Sequence, residues 1–183
     1  ENFSRQAGAL AWSAERVLDK VIYADDRGIV DFEAVDKYGD FSAAIVSKKL
    51  NRIFLFKKLL VTTAIVERQI NQYRLFFSDG SSLWFTFNEG KLKGGTYVEY
   101  TNAVLDTGEG EDIDGNIIKF FCSNDGYVYQ MDKGTSFDGE VIDTELFTSF
   151  YHYGSPRNWK TFRQLNFEIT AERGTQFAVR PVF

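Results

Sequence analysis

A single histidine and a single cysteine hold most of the proton-transfer and nucleophilic potential of this chain. His152, within Phe150-Tyr151-His152-Tyr153-Gly154, is the side chain whose ordinary pKa lies nearest neutrality, so acid–base chemistry would centre on it, with Ser149 or Cys122 as nucleophile. Neither nucleophile lies in a strand-to-helix elbow of the kind that presents an activated hydroxyl. Cys122 follows Phe120-Phe121 in an apolar run, which predicts a buried, inert thiol. No catalytic residue is assigned, and the chain is read as a non-enzyme.

The carboxylates suggest two further chemistries. Glu109, Glu111, Asp112 and Asp114 have the composition of a calcium loop, but placing Gly115 at the sixth position puts Gly110 at the first, where an Asp should stand. The stretch is expected to be a solvated acidic loop, with no metal or cofactor. Glycoside hydrolysis would need two carboxylates held across a sugar, and no pair is singled out by an apolar setting. Ser78-Asp79-Gly80 followed by Trp84 looks like the Ser-x-Asp-x-Gly-x-Thr-Trp turn of sialidase propellers, but the spacing is wrong. Ser123-Asn124-Asp125-Gly126 places its Gly one residue early and has no Trp after it.

Binding residues are more plentiful. Tyr151, Tyr153, Arg157 and Trp159, with Lys160, surround Gly154-Ser155-Pro156 and have the composition of a protein interface core. They also suit a carbohydrate-stacking platform or packing under a long loop. Lys48, Lys49, Arg52, Lys57 and Lys58 surround apolar residues, as an anionic partner or a solvated face would require.

The elements that must position these residues are announced by glycine turns. Asp26-Arg27-Gly28, Asp79-Gly80, Asp125-Gly126 and Glu172-Arg173-Gly174 recur roughly 50 residues apart, near the length of a propeller blade. Tyr73, Leu75 and Phe77 alternate before Asp79-Gly80, and Leu83, Phe85 and Phe87 alternate after it, the pattern of a hairpin. Similar alternation flanks Gly126, through Ile117 to Ser123 and then Tyr127, Tyr129 and Met131. Another runs through Leu165, Phe167 and Ile169. Stretches 89–95, 107–115 and 132–139 are rich in Gly and acid and read as loops. Earlier in the chain, Leu10, Ala14, Val17, Leu18 and Val21 recur at helical spacing. Ser42 is placed to cap a second helix carrying Val46, Leu50, Ile53 and Phe54, though Ile53-Phe54-Leu55-Phe56 also suits a strand.

Composition is consistent with a rigid shape. Aromatics make up 16% of the chain, with eighteen Phe, alongside 44% apolar and 26% charged residues, enough for a substantial core. The run from Ile53 to Val66 is broken by Lys57 and Lys58, so no membrane-spanning helix is expected. A net charge of −5 opposes tight binding to a phosphate backbone. One cysteine excludes an internal disulfide framework. The chain opens on Glu1-Asn2-Phe3 without a signal pattern and is read as part of a longer protein. The expectation is one all-β, β-propeller-like domain over 1–183, a partial propeller of antiparallel blades with a small helical or irregular N-terminal portion.

Two stretches add a resemblance. Asn71-Gln72-Tyr73-Arg74-Leu75-Phe76-Phe77-Ser78-Asp79-Gly80 and Asp125-Gly126-Tyr127-Val128-Tyr129-Gln130-Met131-Asp132, the latter running on through Gly134-Thr135-Ser136-Phe137-Asp138-Gly139, look like segments of bacteriophage tail proteins. With Gly154-Ser155-Pro156 followed by Lys160, Phe162 and Arg163, and Tyr38-Gly39-Asp40 and Ser47 upstream, the chain from about Gly28 to Phe183 resembles the tail nozzle or tail tubular B proteins of short-tailed phages. Family members usually run to several hundred residues, so the resemblance implies that this chain holds only part of the propeller. It implies a propeller-like fold and a homo-oligomeric ring in the virion tail, assembled in the host cytoplasm beside other tail and connector proteins. DNA would pass through transiently rather than bind specifically. No catalytic residues are implied. The rival expectation is a carbohydrate-binding β-domain for receptor recognition, using Tyr151, Tyr153 and Trp159.

Overall fold

The computed structural model describes residues 8–32, 45–137, 139–143 and isolated positions between Gly154 and Val179. The chain divides into two compact units, Glu1–Ile142 and Asp143–Phe183. All regular elements described lie in the first unit. They are ten strands, β1 (Glu15–Val17), β2 (Lys20–Ala24), β3 (Ile29–Asp31), β4 (Val61–Glu67), β5 (Gln72–Phe77), β6 (Ser81–Asn88), β7 (Lys91–Glu99), β8 (Val104–Glu111), β9 (Ile117–Ser123) and β10 (Val128–Gln130), with one short helix, α1 (Asn51–Lys57), continued by a 3₁₀ turn at Lys58–Leu60.

The strands form three antiparallel sheets in chain order: β1-β2-β3, β4-β5-β6-β7 and β8-β9-β10. The antiparallel, all-β expectation therefore holds. None of the sheets closes on itself among the described residues. Each is a meander in which every strand pairs with its neighbour in sequence, the arrangement that short turns permit.

The second sheet is buried on both faces along β5 and most of β6, while its edge strand β7 is not buried. Tyr73, Leu75 and Phe77 of β5 point to one side, where Leu83, Phe85 and Phe87 of β6 join Val17, Ile22, Ala24 and Ile29 of the first sheet and Phe54 of α1. Gln72, Arg74 and Phe76 point to the other side, where Phe76 and Ile65 pack against Val104, Phe121 and Met131. The period-2 alternation of side chains thus supplies two cores from one strand, and every residue of β5 is buried. Tyr100 ties the second core together, its ring 5.7 Å from Phe76 and 5.8 Å from Phe121 in edge-on contacts.

Three of the four glycine turns fall in the described part, and each joins the second strand of a sheet to its third. Gly80 and Gly126 adopt φ of +87° and +86° and donate their N–H groups to Phe77 and Ser123. This is a type I turn closed by a left-handed residue, which Gly supplies at least cost. Gly28 serves differently. Its φ is not left-handed, and a Cβ there would lie 2.7 Å from Asn51 Oδ1 and 2.9 Å from Ser47 Oγ. The β2–β3 turn is held by Asp25, whose carboxylate accepts the N–H groups of Arg27 and Gly28. The turn at Gly174 lies outside the described residues, as do Ser42, the upstream segment at 38–40, and Leu165, Phe167 and Ile169 of the expected later strand, while Gln164, Asn166 and Glu168 carry no strand assignment.

Three local expectations are corrected. The helical spacing of Val17, Leu18 and Val21 belongs to a hairpin, with Leu18 at φ +57° in the turn and Val17 and Ile22 buried on the core side. The loop expected at 89–95 is a tight turn, Glu89 and Gly90 at φ +49° and +71°, followed directly by β7. The loop expected at 107–115 is mostly β8, and the chain turns only at Asp112 to Gly115. The glycines of β8 have a packing reason, since the Phe120 ring lies over Gly110, where an added Cβ would stand 3.1 Å from Cζ. The second predicted helix forms as α1 but begins at Asn51, after Val46 and Leu50.

Candidate interaction surfaces

The first strands of the three sheets run side by side, with β4 between β1 and β8. Backbone and hydroxyl bonds knit this seam. Ala64 donates its N–H to the Trp12 carbonyl at 3.0 Å, just ahead of β1, and the buried Tyr73 hydroxyl donates to Ser13 at 2.7 Å. On the other side Thr62 Oγ1 donates to the Val104 carbonyl at 2.7 Å, and the Thr63 and Thr107 hydroxyls meet at 3.0 Å. Threonine suits these positions because its hydroxyl reaches a neighbouring backbone while its methyl stays on the pleat.

Charges gather where β4 and β8 end. Lys119 of β9 pairs with Glu67, both side chains largely buried, and Arg68 pairs with Glu109 at 3.1 Å. Burial works to raise the Glu67 pKa, but the Lys119 ammonium and the Gln69 N–H outweigh it and hold the carboxyl below its ordinary range. Glu15 of β1 behaves oppositely. Its burial and the nearby Glu109 carboxylate push it up, with Arg68 opposing. Beside this cluster Arg16, Leu18, Val66, Arg68 and Asn71 line a groove of about 400 Å³. The sequence showed no signal for this seam, because the cluster joins residues from four strands.

The second and third sheets are clamped by Arg74. Its side chain, 3% exposed, donates to both Asp132 carboxylate oxygens at 3.0 and 2.7 Å and to Gln72 Oε1 at 2.8 Å, with the guanidinium 4.2 Å from the Trp84 ring centre. Asp132 follows β10, so Arg74 adds a charged tie between residues 71–80 and 125–132 to the packing of Phe76 against Met131.

The predicted site residues fare unevenly. Tyr151, Tyr153, His152 and Ser149 lie outside the described residues. Arg157 is exposed and Trp159 fully so; with Asn158 and Lys160 they flank a shallow recess in the second unit. Cys122 is exposed rather than buried, because β9 turns Phe121 and Ser123 inward and Cys122 outward. Of the predicted basic cluster, Lys57 donates to Asp79 and Ser81 and Lys58 to Asp26, so both serve the fold. Lys48, Lys49 and Arg52 are exposed. The Asp112 carboxylate is occupied by its own turn, accepting the N–H groups of Asp114 and Asn116. Among the described residues no three His, Cys, Asp or Glu side chains converge on a point that would hold a metal ion. None of the described helices is long and apolar enough to cross a membrane. No protein-family model, curated protein or solved structure matches the chain.

Proposed function

We propose that the chain is a non-enzymatic structural module, an arc of a propeller-like β-structure belonging to the tail of a phage or prophage particle. The observation that carries this reading is the seam: three successive meanders stack face to face in chain order, and their first strands lie together. In a propeller the first strand of each blade lines the axis and blades stabilise one another through their faces. The sequence period of the glycine turns is then the blade period, each of the three described turns joining the second and third strands of its sheet. Residues 71–80 and 125–139, where the tail resemblance is carried, fall on the second and third of these sheets and meet at Arg74 and Asp132.

A ring subunit through which DNA moves should not hold phosphate. The seam fits that role, since Lys119 and Arg68 are each committed to a carboxylate and the chain carries a net charge of −5. Partners in this reading are neighbouring copies and other tail or connector proteins, in the assembled virion. The carbohydrate-binding alternative draws on the fully exposed Trp159 beside Arg157. Mass spectrometry of gradient-purified particles, made from the genome that encodes the chain, separates the two. Peptides at fixed stoichiometry with other tail proteins are expected, together with no binding on a glycan array. Absence from purified particles, or glycan hits abolished by Trp159→Ala, would sink the tail reading in favour of the sugar-binding one.

A further inference from the structure

Two exposed surfaces of the first unit complement each other and cannot meet within one chain. The first is the outer face of α1. Phe56 and Leu59 are 88% and 90% exposed, Arg52 lies one helical turn before Phe56, and Lys48 stands in the turn leading into the helix. Lys48 and Arg52 have no ion-pair partner among the described residues, whereas Lys57 and Lys58 on the other side of the helix do. The second surface is the tip of the β8–β9 hairpin. Ile113 is fully exposed there, between Glu111 and Asp114, neither of which has an ion-pair partner among the described residues. The tip is held rigid, because Asp112 N–H donates to Asn116 and Gly115 N–H to Asp112.

The strand directions place these surfaces at opposite ends. Lys57 and Lys58 fasten α1 to the β5–β6 and β2–β3 turns. β8 runs alongside β4 in the same direction, Thr62 bonding Val104 near the start of both and Arg68 pairing Glu109 near the end of both. The β8–β9 tip therefore projects from the end remote from α1. An apolar centre ringed by cations at one end and an apolar residue flanked by anions at the other form the two halves of a heterologous contact.

We infer that a second copy of this chain docks its β8–β9 tip on the outer face of α1, Ile113 against Phe56 and Leu59, with Glu111 and Asp114 facing Lys48 and Arg52. Such a contact repeats head to tail, because each copy retains one unused surface of each kind. Docking needs only these two surfaces and does not depend on a place in a tail, which particle analysis tests separately.

Sedimentation velocity of the full chain over a wide concentration range tests it. The sedimentation coefficient rises with concentration and falls back when salt is added. Lys48→Glu/Arg52→Glu makes both surfaces acidic, and Glu111→Lys/Asp114→Lys makes both basic. Each variant alone sediments as a monomer with an unchanged far-ultraviolet circular dichroism spectrum, and mixing the two restores association. A wild-type chain that stays monomeric throughout, charge-reversed variants that associate like the wild type, or a mixture that remains monomeric would each overturn the proposal.

Discussion

Lys119 and Glu67 leave only 7% and 10% of their side chains exposed, so each is the other's main compensation for lost hydration. Lys119→Met leaves the carboxylate buried without its cation and is expected to cost about 3 kcal/mol or more in urea unfolding, whereas adding Glu67→Leu should recover most of the loss. Asp79 gives a pH signature. Burial would raise its pKa, but Lys57, the Ser81 hydroxyl and the Ser81 N–H bring it to about 2. A carboxyl depressed in the folded state contributes stability above its unfolded pKa of about 4 and loses it as pH falls toward 2. Asp79→Asn should therefore destabilise by about 1 kcal/mol at neutral pH, with the difference from wild type shrinking below about pH 4 and vanishing only below about pH 2. Glu15 has the opposite sign: its pKa is raised, so its ionisation weakens the fold as pH rises, and Glu15→Gln should be neutral or slightly stabilising at neutral pH. None of these roles was legible from residue type. The partners of Glu67 and Arg74 stand 52 and 58 positions away in the chain, and nothing in a local pattern announces a contact at that separation.

At the level of elements, the turns separate two uses of glycine. Gly80→Ala and Gly126→Ala force a side chain into left-handed backbone and should each cost about 1 kcal/mol in thermal or urea unfolding, with open space around Gly126 leaving only the backbone term there. Gly28→Ala meets Asn51 Oδ1 and Ser47 Oγ instead, so pairing it with Asn51→Ala should recover part of its loss, which no second substitution would do at Gly126. The β5–β6 and β9–β10 hairpins were readable because an Asp-Gly turn sat between alternating aromatic runs. β8 was not, since Thr107-Gly108-Glu109-Gly110-Glu111 has loop composition and becomes a strand through its pairing with β9 and the ring of Phe120. The N-terminal misreading has a similar origin. A tight hairpin places Val17 and Val21 four apart, a spacing that a helix also produces, and only burial of Val17 and Ile22 in a shared core decides between them.

For the whole molecule, the glycine period carries more than any single residue. It corresponds to three stacked meanders with their first strands adjacent, and it is this repetition, rather than a reaction centre, that the proposed function rests on. The Trp159 region was legible in composition but supplies no assembled site among the described residues. If the seam lines a passage, DNA affinity should be weak and nearly flat with salt, and Glu109→Lys, which adds a cation and releases Arg68, should create salt-sensitive binding with an overall log–log slope of about −1 to −2, checked by fluorescence anisotropy with a labelled duplex. The most direct test is a cryo-electron microscopy reconstruction of the tail of purified particles at side-chain resolution. The account predicts density for this chain in the tail, with the three sheets as consecutive blades and β1, β4 and β8 innermost; tail density that excludes the chain, or a placement with β4 away from the axis, would contradict it.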